Sequence, residues 1–201
     1  MTGEELLTAL APRPLLPVLR AGSAAEALDL ARRVADAGLP VVELTATTPG
    51  WEQALTTLRD ERPDLVVGMG TMTSAEDAAR AIAAGAQFLV SPWPVPAVRP
   101  VATHAGMAFL EGACTPSELA DAASRGPVKL FPAHLGGPSY LRSVLAVLPG
   151  ARIVPTGGIR LADVGEWLAA GAVAVGVGSD LIAPGDVGQR VRTALQGVRA
   201  A

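Results

Sequence analysis

The sequence predicts a (β/α)8 barrel, and three observations predict it. Short apolar or β-branched runs recur every ~20 to 25 residues, each followed by an Ala/Leu-rich amphipathic stretch, which is the period of a strand–helix unit. Eight such units fill the 201 residues with no linker or low-complexity segment between them. The chain is 50% hydrophobic and 17% charged, with a mean hydropathy of +0.37, which suits one large core in a single domain spanning residues 1–201. A doubly wound open sheet is the competing arrangement.

Each element follows in order. A short helix is expected at 4–10, ahead of strands at 15–20, 41–45, 65–70, 88–91, 108–112, 128–131, 152–156 and 172–178. Helices lie between the strands and after the last. Thr73-Ser-Ala-Glu76 and Thr115-Pro-Ser-Glu118 each set a capping hydroxyl three residues before a carboxylate, the second with proline at the first helical position. Gly38, Gly85, Gly126 and Gly171 stand where helices must stop and turn into the next strand.

Composition narrows the function classes. A formal charge of −3 without a basic block leaves no electrostatic footprint for nucleic acid or an anionic membrane, so the expected partner is a small molecule. No stretch reaches the length of an apolar span, and the start Met-Thr-Gly-Glu-Glu lacks a positive leader; the expected location is the cytoplasm. Cys114 with His104 and His134 does not make a spaced zinc set, so neither a metal nor another cofactor is expected. Cys114 reads as a small hydrophobe rather than a nucleophile.

Sixteen positions carry Lys or Arg, and Lys129 is the only lysine among them. Arginine meets the needs of charge and surface pairing, but a guanidinium is a very poor nucleophile; a deprotonatable primary amine is what it cannot supply. Lys129 sits in the apolar run Pro-Val-Lys-Leu-Phe-Pro (127–132), near the end of the sixth strand. Desolvation disfavours an ammonium and is a route to a Schiff-base nucleophile. A surface lysine in an arginine-biased sequence is the competing reading.

In a barrel the chemistry sits at the carboxyl ends of the strands. Glu43 interrupts the apolar second strand, Val-Val-Glu-Leu-Thr (41–45), and a carboxylate there is either structurally paired or a proton shuttle beside the amine. Arg20 ends the first strand, where it either grips a substrate carboxylate through two parallel hydrogen bonds or bridges to Glu43. The turns Pro155-Thr-Gly-Gly-Ile159 and Gly176-Val-Gly-Ser-Asp180 follow strands seven and eight, where these barrels habitually bind phosphate. Gly68-Met-Gly-Thr71 and Ser91-Pro-Trp-Pro94 either line the same mouth or are simply tight strand-to-helix turns, and His134, which follows strand six within reach of the mouth, reads first as a surface loop histidine.

With these motifs the chain resembles the 2-keto-3-deoxy-6-phosphogluconate and 4-hydroxy-2-oxoglutarate aldolase family over nearly its whole length. The likeness is carried by Val42-Glu43, Gly68-Met-Gly-Thr71, residues 84–92, Thr115-Pro-Ser-Glu118, Val128-Lys-Leu-Phe-Pro-Ala133, Pro155-Thr-Gly-Gly-Ile159 and Gly176-Val-Gly-Ser179. The resemblance implies a metal-independent class I aldolase, usually a homotrimer, with Lys129 as Schiff-base lysine and Glu43 as acid/base. It also implies that Thr71, Pro92, Phe131 and Thr47 lie around the substrate and that Gly157, Gly158, Gly178 and Ser179 contact phosphate. Three departures stand out. Thr47 occupies the place of a substrate-binding arginine, while Pro49-Gly-Trp-Glu52 and Gly178-Ser-Asp-Leu181 look like the phosphogalactonate branch, in which the strand-one arginine, here Arg20, contacts the carboxylate. Glu111 replaces a proline before Gly112, where a carboxylate would either repel an anionic substrate or bind a hydroxyl or amine of an unusual acceptor. His134 stands where many members carry glutamate. The implied reaction is cleavage of a 2-keto-3-deoxy-6-phospho sugar acid to pyruvate and glyceraldehyde 3-phosphate. Its rivals are an aldolase for an unphosphorylated 4-hydroxy-2-keto acid and a non-catalytic phosphosugar-binding barrel.

Overall fold

The computed structural model describes residues 1–183 and 185–196, so the expected domain span of 1–201 includes six positions, 184 and 197–201, that lie outside the described residues. Eight parallel strands run in the order β7-β6-β5-β4-β3-β2-β1-β8. They are β1 Leu15–Leu19, β2 Val41–Thr45, β3 Val66–Gly70, β4 Phe88–Val90, β5 Ala108–Ala113, β6 Val128–Leu130, β7 Ile153–Pro155 and β8 Val175–Val177. A bridge between Thr156 and Gly176 and a hydrogen bond from Val173 N–H to Ile153 O (3.1 Å) join the two ends of the order. The sheet therefore curls into a (β/α)8 barrel rather than an open doubly wound layer.

Helices α1 Gly3–Leu10, α2 Ala24–Asp36, α3 Trp51–Glu61, α4 Ala75–Ala83, α5 Val98–His104, α6 Pro116–Ala123, α7 Gly137–Val147, α8 Val164–Ala169 and α9 Val187–Gln196, with short 3-10 turns at Ala133–Leu135 and Leu161–Asp163, complete the described elements. Their ends obey local chemistry. Thr115 and Glu118 form a reciprocal capping box on α6, with Pro116 in its first turn. Gly38, Gly85, Gly126 and Gly171 all hold positive φ just beyond their helices, which a side chain would resist. The start of α4 corrects the sequence reading. Two overlapping hydroxyl-x-x-carboxylate patterns occur there, and Ser74 rather than Thr73 is the cap, accepting from the Asp77 N–H (3.0 Å).

Two apolar layers result from the period-two alternation of the strands. Outward residues such as Leu15, Leu44, Met69, Leu89, Val128 and Ile153 pack against the helices. Inward residues Leu16, Val41, Phe88, Val90, Ala108, Leu110, Val154 and Ala174 fill the barrel together with Leu6 and Leu10 of α1. Helix α1 thus plugs the amino-terminal end, anchored by the Ala108 N–H donating to Met1 O at 2.8 Å. Only the carboxyl end is left for a ligand to approach, and the short inward side chains there decide what fits.

Candidate active site

Lys129 is the inward residue of β6, flanked in register by Gly112 on β5 and Val154 on β7. Glu43 is inward on β2, flanked by Val18 and Gly68. These two strands lie opposite each other in an eight-stranded ring, yet Lys129 Nζ stands 3.6 Å from Glu43 Oε1. They meet because residues around them are glycine. A Cβ at Gly70 would lie 2.6 Å from Glu43 Cδ, and one at Gly112 would lie 2.6 Å from Pro92 O. Neither position tolerates a side chain without displacing the site.

Both groups are desolvated, with Glu43 1% and Lys129 5% exposed. The 3.6 Å separation makes an ion pair rather than a hydrogen bond, and both carboxylate oxygens of Glu43 are buried with no hydrogen-bond partner. A buried carboxylate normally has its lone pairs satisfied, so this one is set up to bond something that enters the barrel. Burial pushes the Glu43 carboxyl above its ordinary value of 4.5, and the charges of Lys129 and Arg20 offset this only in part. A carboxyl raised in this way is a better proton acceptor than an ordinary one and can return the proton it takes up. The Lys129 ammonium also stands 5.2 Å from the centre of the Phe131 ring, which forms one wall beside it.

The rim is built from the segments after the strands. Arg20 is exposed there, and among the described residues it makes no ion pair, so the expected alternative of a bridge to Glu43 is not what the fold adopts. Its two chain neighbours are held by the end of β2 and the turn after it: Thr45 Oγ1 donates to Leu19 O (3.2 Å), and Ala21 N–H donates to Thr48 Oγ1 (3.2 Å). Thr47 joins this set through Thr45 Oγ1 at 3.2 Å. Thr71 holds φ 63, the only positive φ outside glycine among the described residues, and such strain of roughly 1–3 kcal/mol persists where surrounding structure imposes it. Ser91 Oγ accepts from Gly112 N–H (3.0 Å) and donates to Trp93 O (2.7 Å), which fixes the turn carrying Pro92 against β5.

The two glycine-rich turns lie side by side. Gly157 and Gly158 both have positive φ (97 and 70), and a Cβ on Gly157 would meet the Phe131 ring at 2.8 Å. Asp180 ties the turns together by accepting from Leu161 N–H at 2.8 Å. The main-chain N–H groups of Gly158, Ile159, Ser179 and Asp180 have no acceptor among the described residues. Gly178 follows β8, and a Cβ there would stand 3.3 Å from Val18 O, slightly closer than an ordinary contact. This arrangement can receive an anion through backbone donors.

One expectation changes. Glu111 does not face the mouth: it points outward from β5, 3% exposed, and accepts from Arg99 Nε (2.9 Å), Arg125 Nη2 (2.9 Å) and the Val95 N–H (2.9 Å). Inward Leu110 and Gly112 bracket it, so alternation alone assigns it to the helix side. It fastens α5, the turn after α6 and the segment after β4 to the outside of the barrel. Cys114 contributes its main chain, its carbonyl accepting from the Tyr140 hydroxyl at 2.5 Å. Gly70, Ser91, Thr45 and Asp180 lie inside the motifs quoted above, but their supporting roles, like that of Thr48, come only from the structure; the shared inward parity of Gly68, Gly70 and Glu43 is the signal for the first. Among the described residues no cluster of three or more His, Cys, Asp or Glu could hold a metal ion, and no helix is long and apolar enough to cross a membrane.

Comparison with known proteins bears on this geometry. The family model described as "KDPG and KHG aldolase" matches residues 7–191. The chain is 32% identical over 181 residues to the 2-dehydro-3-deoxy-6-phosphogalactonate aldolase of Escherichia coli (strain K12), covering 88% of each chain. It is 33% identical over 188 residues to the 2-dehydro-3-deoxy-phosphogluconate aldolase of Dickeya dadantii (strain 3937), covering 92% of this chain and 86% of the relative. Among solved structures it superposes with TM-score 0.83 and 28% identity on KDPG aldolase from Legionella pneumophila, in which pyruvate was captured as a covalent carbinolamine intermediate; the match covers 96% of this chain and 97% of that one.

Proposed function

This chain belongs to the KDPG and KHG aldolase family, and from that premise we propose that it is a class I aldolase that cleaves a 2-keto-3-deoxy-6-phospho sugar acid to pyruvate and glyceraldehyde 3-phosphate. The observation that carries the proposal is the pairing of the only lysine, buried, with a buried glutamate whose oxygens have no hydrogen bond. Neutral Lys129 attacks the C2 ketone, the carbinolamine loses water, and an iminium forms. Glu43 takes the proton of the C4 hydroxyl, directly or through a water. The C3–C4 bond then breaks, its electrons pass into the iminium to give an enamine, and the aldehyde departs. Glu43 returns the proton to C3, and water hydrolyses the imine to release pyruvate and the free amine. The cationic imine is the electron sink in this sequence, and the carboxylate shuttles one proton within 3.6 Å of the nitrogen.

The substrate's ends are assigned on the same reading. Arg20 grips the carboxylate in a bidentate contact, held in place by Thr45 and Thr48. Thr71, Pro92, Phe131 and Thr47 surround the pyruvate portion. Gly157, Gly158, Gly178 and Ser179 receive the phosphate through main-chain donors. The whole of residues 1–201 acts as one barrel unit, a homotrimer in the cytoplasm, with no cofactor required; sedimentation at several protein concentrations tests the trimer. A panel of the two C4-epimeric phospho sugar acids and unphosphorylated 4-hydroxy-2-oxoglutarate, with coupled detection of pyruvate, tests the function. The highest kcat/KM falls on a phosphorylated compound; a preference for the unphosphorylated one would move the assignment to the 4-hydroxy-2-keto acid reaction, and no pyruvate from any would leave a binding barrel.

A further inference from the structure

The residue after the catalytic motif, His134, lies on the turn that the reaction needs for phosphate. Its main-chain N–H donates to Gly157 O at 3.1 Å, and its ring Nδ1 stands 3.3 Å from the same oxygen. A carbonyl can only accept, so Nδ1 carries the hydrogen. The ring then packs on the Gly158 backbone: a Cβ there would lie 2.6 Å from both Cγ and Nδ1. Positive φ at Gly158 and the absence of its side chain are therefore what allow the imidazole to occupy this place. With Nδ1 committed, Nε2 is the remaining polar atom of an exposed ring, without a partner among the described residues.

We propose that His134 is a specificity-determining residue, its Nε2 forming a hydrogen bond with the phosphate of the substrate in the Gly157–Gly158 turn. One proton serves this contact in either form. A phosphate monoanion donates to neutral Nε2, or the imidazolium donates to the dianion, and the net proton count is the same. The inference rests on the assignment of phosphate to these turns. It adds a side-chain contact to a cradle otherwise made of main-chain donors, and charge-assisted bonds of this kind are the stronger ones.

Two variants test it. Asn in His134→Asn approximates the Nδ1 position and lacks the distal nitrogen; Gln in His134→Gln reaches toward the distal position. The readouts are the inhibition constant of inorganic phosphate and the ratio of kcat/KM for the phosphorylated substrate to that for its unphosphorylated counterpart. His134→Asn should weaken inorganic phosphate about tenfold and lower the ratio in parallel, with His134→Gln in between. Wild-type phosphate affinity and ratio in His134→Asn would overturn the inference, as would equal losses in the Asn and Gln variants. Gly178→Asp separates the two levels of the argument. If it loses phosphate while His134→Asn does not, only the role of His134 falls; if neither variant loses it, the phosphate assignment itself falls.

Discussion

Lys129 Nζ and Glu43 Oε1 face each other at 3.6 Å from opposite strands of the barrel, in a space kept open by Gly70 and Gly112. The arrangement is costly as a structural pair, because Glu43 leaves both oxygens without hydrogen bonds. It is well suited to a reaction in which an amine is made and unmade as an imine while one proton moves back and forth.

Glu43→Gln keeps the side-chain volume but cannot shuttle a proton. Its kcat should fall about 100-fold or more, with a much smaller change in KM, measured by coupled pyruvate release. A fall of only a few-fold would remove Glu43 from the mechanism.

The same variant has a stability signature. Burial raises the Glu43 carboxyl above 4.5 in the native state, so between 4.5 and that raised value the folded protein binds more protons than the unfolded chain. Stability from this group is therefore present in acid and lost as pH rises through the window. The Tm of Glu43→Gln should accordingly gain on that of wild type as pH is raised above 4.5; a gap that shrinks would contradict the assigned environment.

Gly70→Ala puts a Cβ 2.6 Å from Glu43 Cδ. Overpacking of this kind costs about 1–3 kcal/mol, and the side chain that must move is Glu43. The variant should fold with a lowered Tm and lose at least tenfold in kcat, whereas Gly165→Ala, which meets nothing within 4 Å, should not.

The two ends of the substrate separate by mutation. Arg20→Lys loses the two-pronged grip and should weaken kcat/KM alike for phosphorylated and unphosphorylated substrates. Gly178→Asp adds a negative charge and a Cβ 3.3 Å from Val18 O, and should damage the phosphorylated substrate selectively. Equal losses for both substrates in Gly178→Asp would mean that the turns after β7 and β8 only shape the barrel.

Much of this was legible in the sequence because it rests on local rules. Alternation and helical periodicity locate all eight strands, although β8 begins at Val175 rather than at 172, and the resemblance brings Lys129 and Glu43 to one site. What escaped was what depends on neighbours. Glu111 looked like a mouth residue because it adjoins Gly112, yet one residue of strand reverses the face, and Arg99 and Arg125 claim it. Thr73 and Ser74 each fit a capping pattern, and the extended backbone that makes Ser74 the cap is not announced by either. Asp180 accepts a bond from Leu161, nineteen residues earlier, a pairing no local pattern announces.

The most direct test is borohydride reduction in the presence of pyruvate. The account predicts irreversible inactivation with one reduced pyruvyl adduct, located by peptide mass spectrometry on Lys129, and no adduct in Lys129→Arg, whose activity should be lost by orders of magnitude. Full retro-aldol activity in Lys129→Arg, or inactivation without an adduct at Lys129, would contradict it.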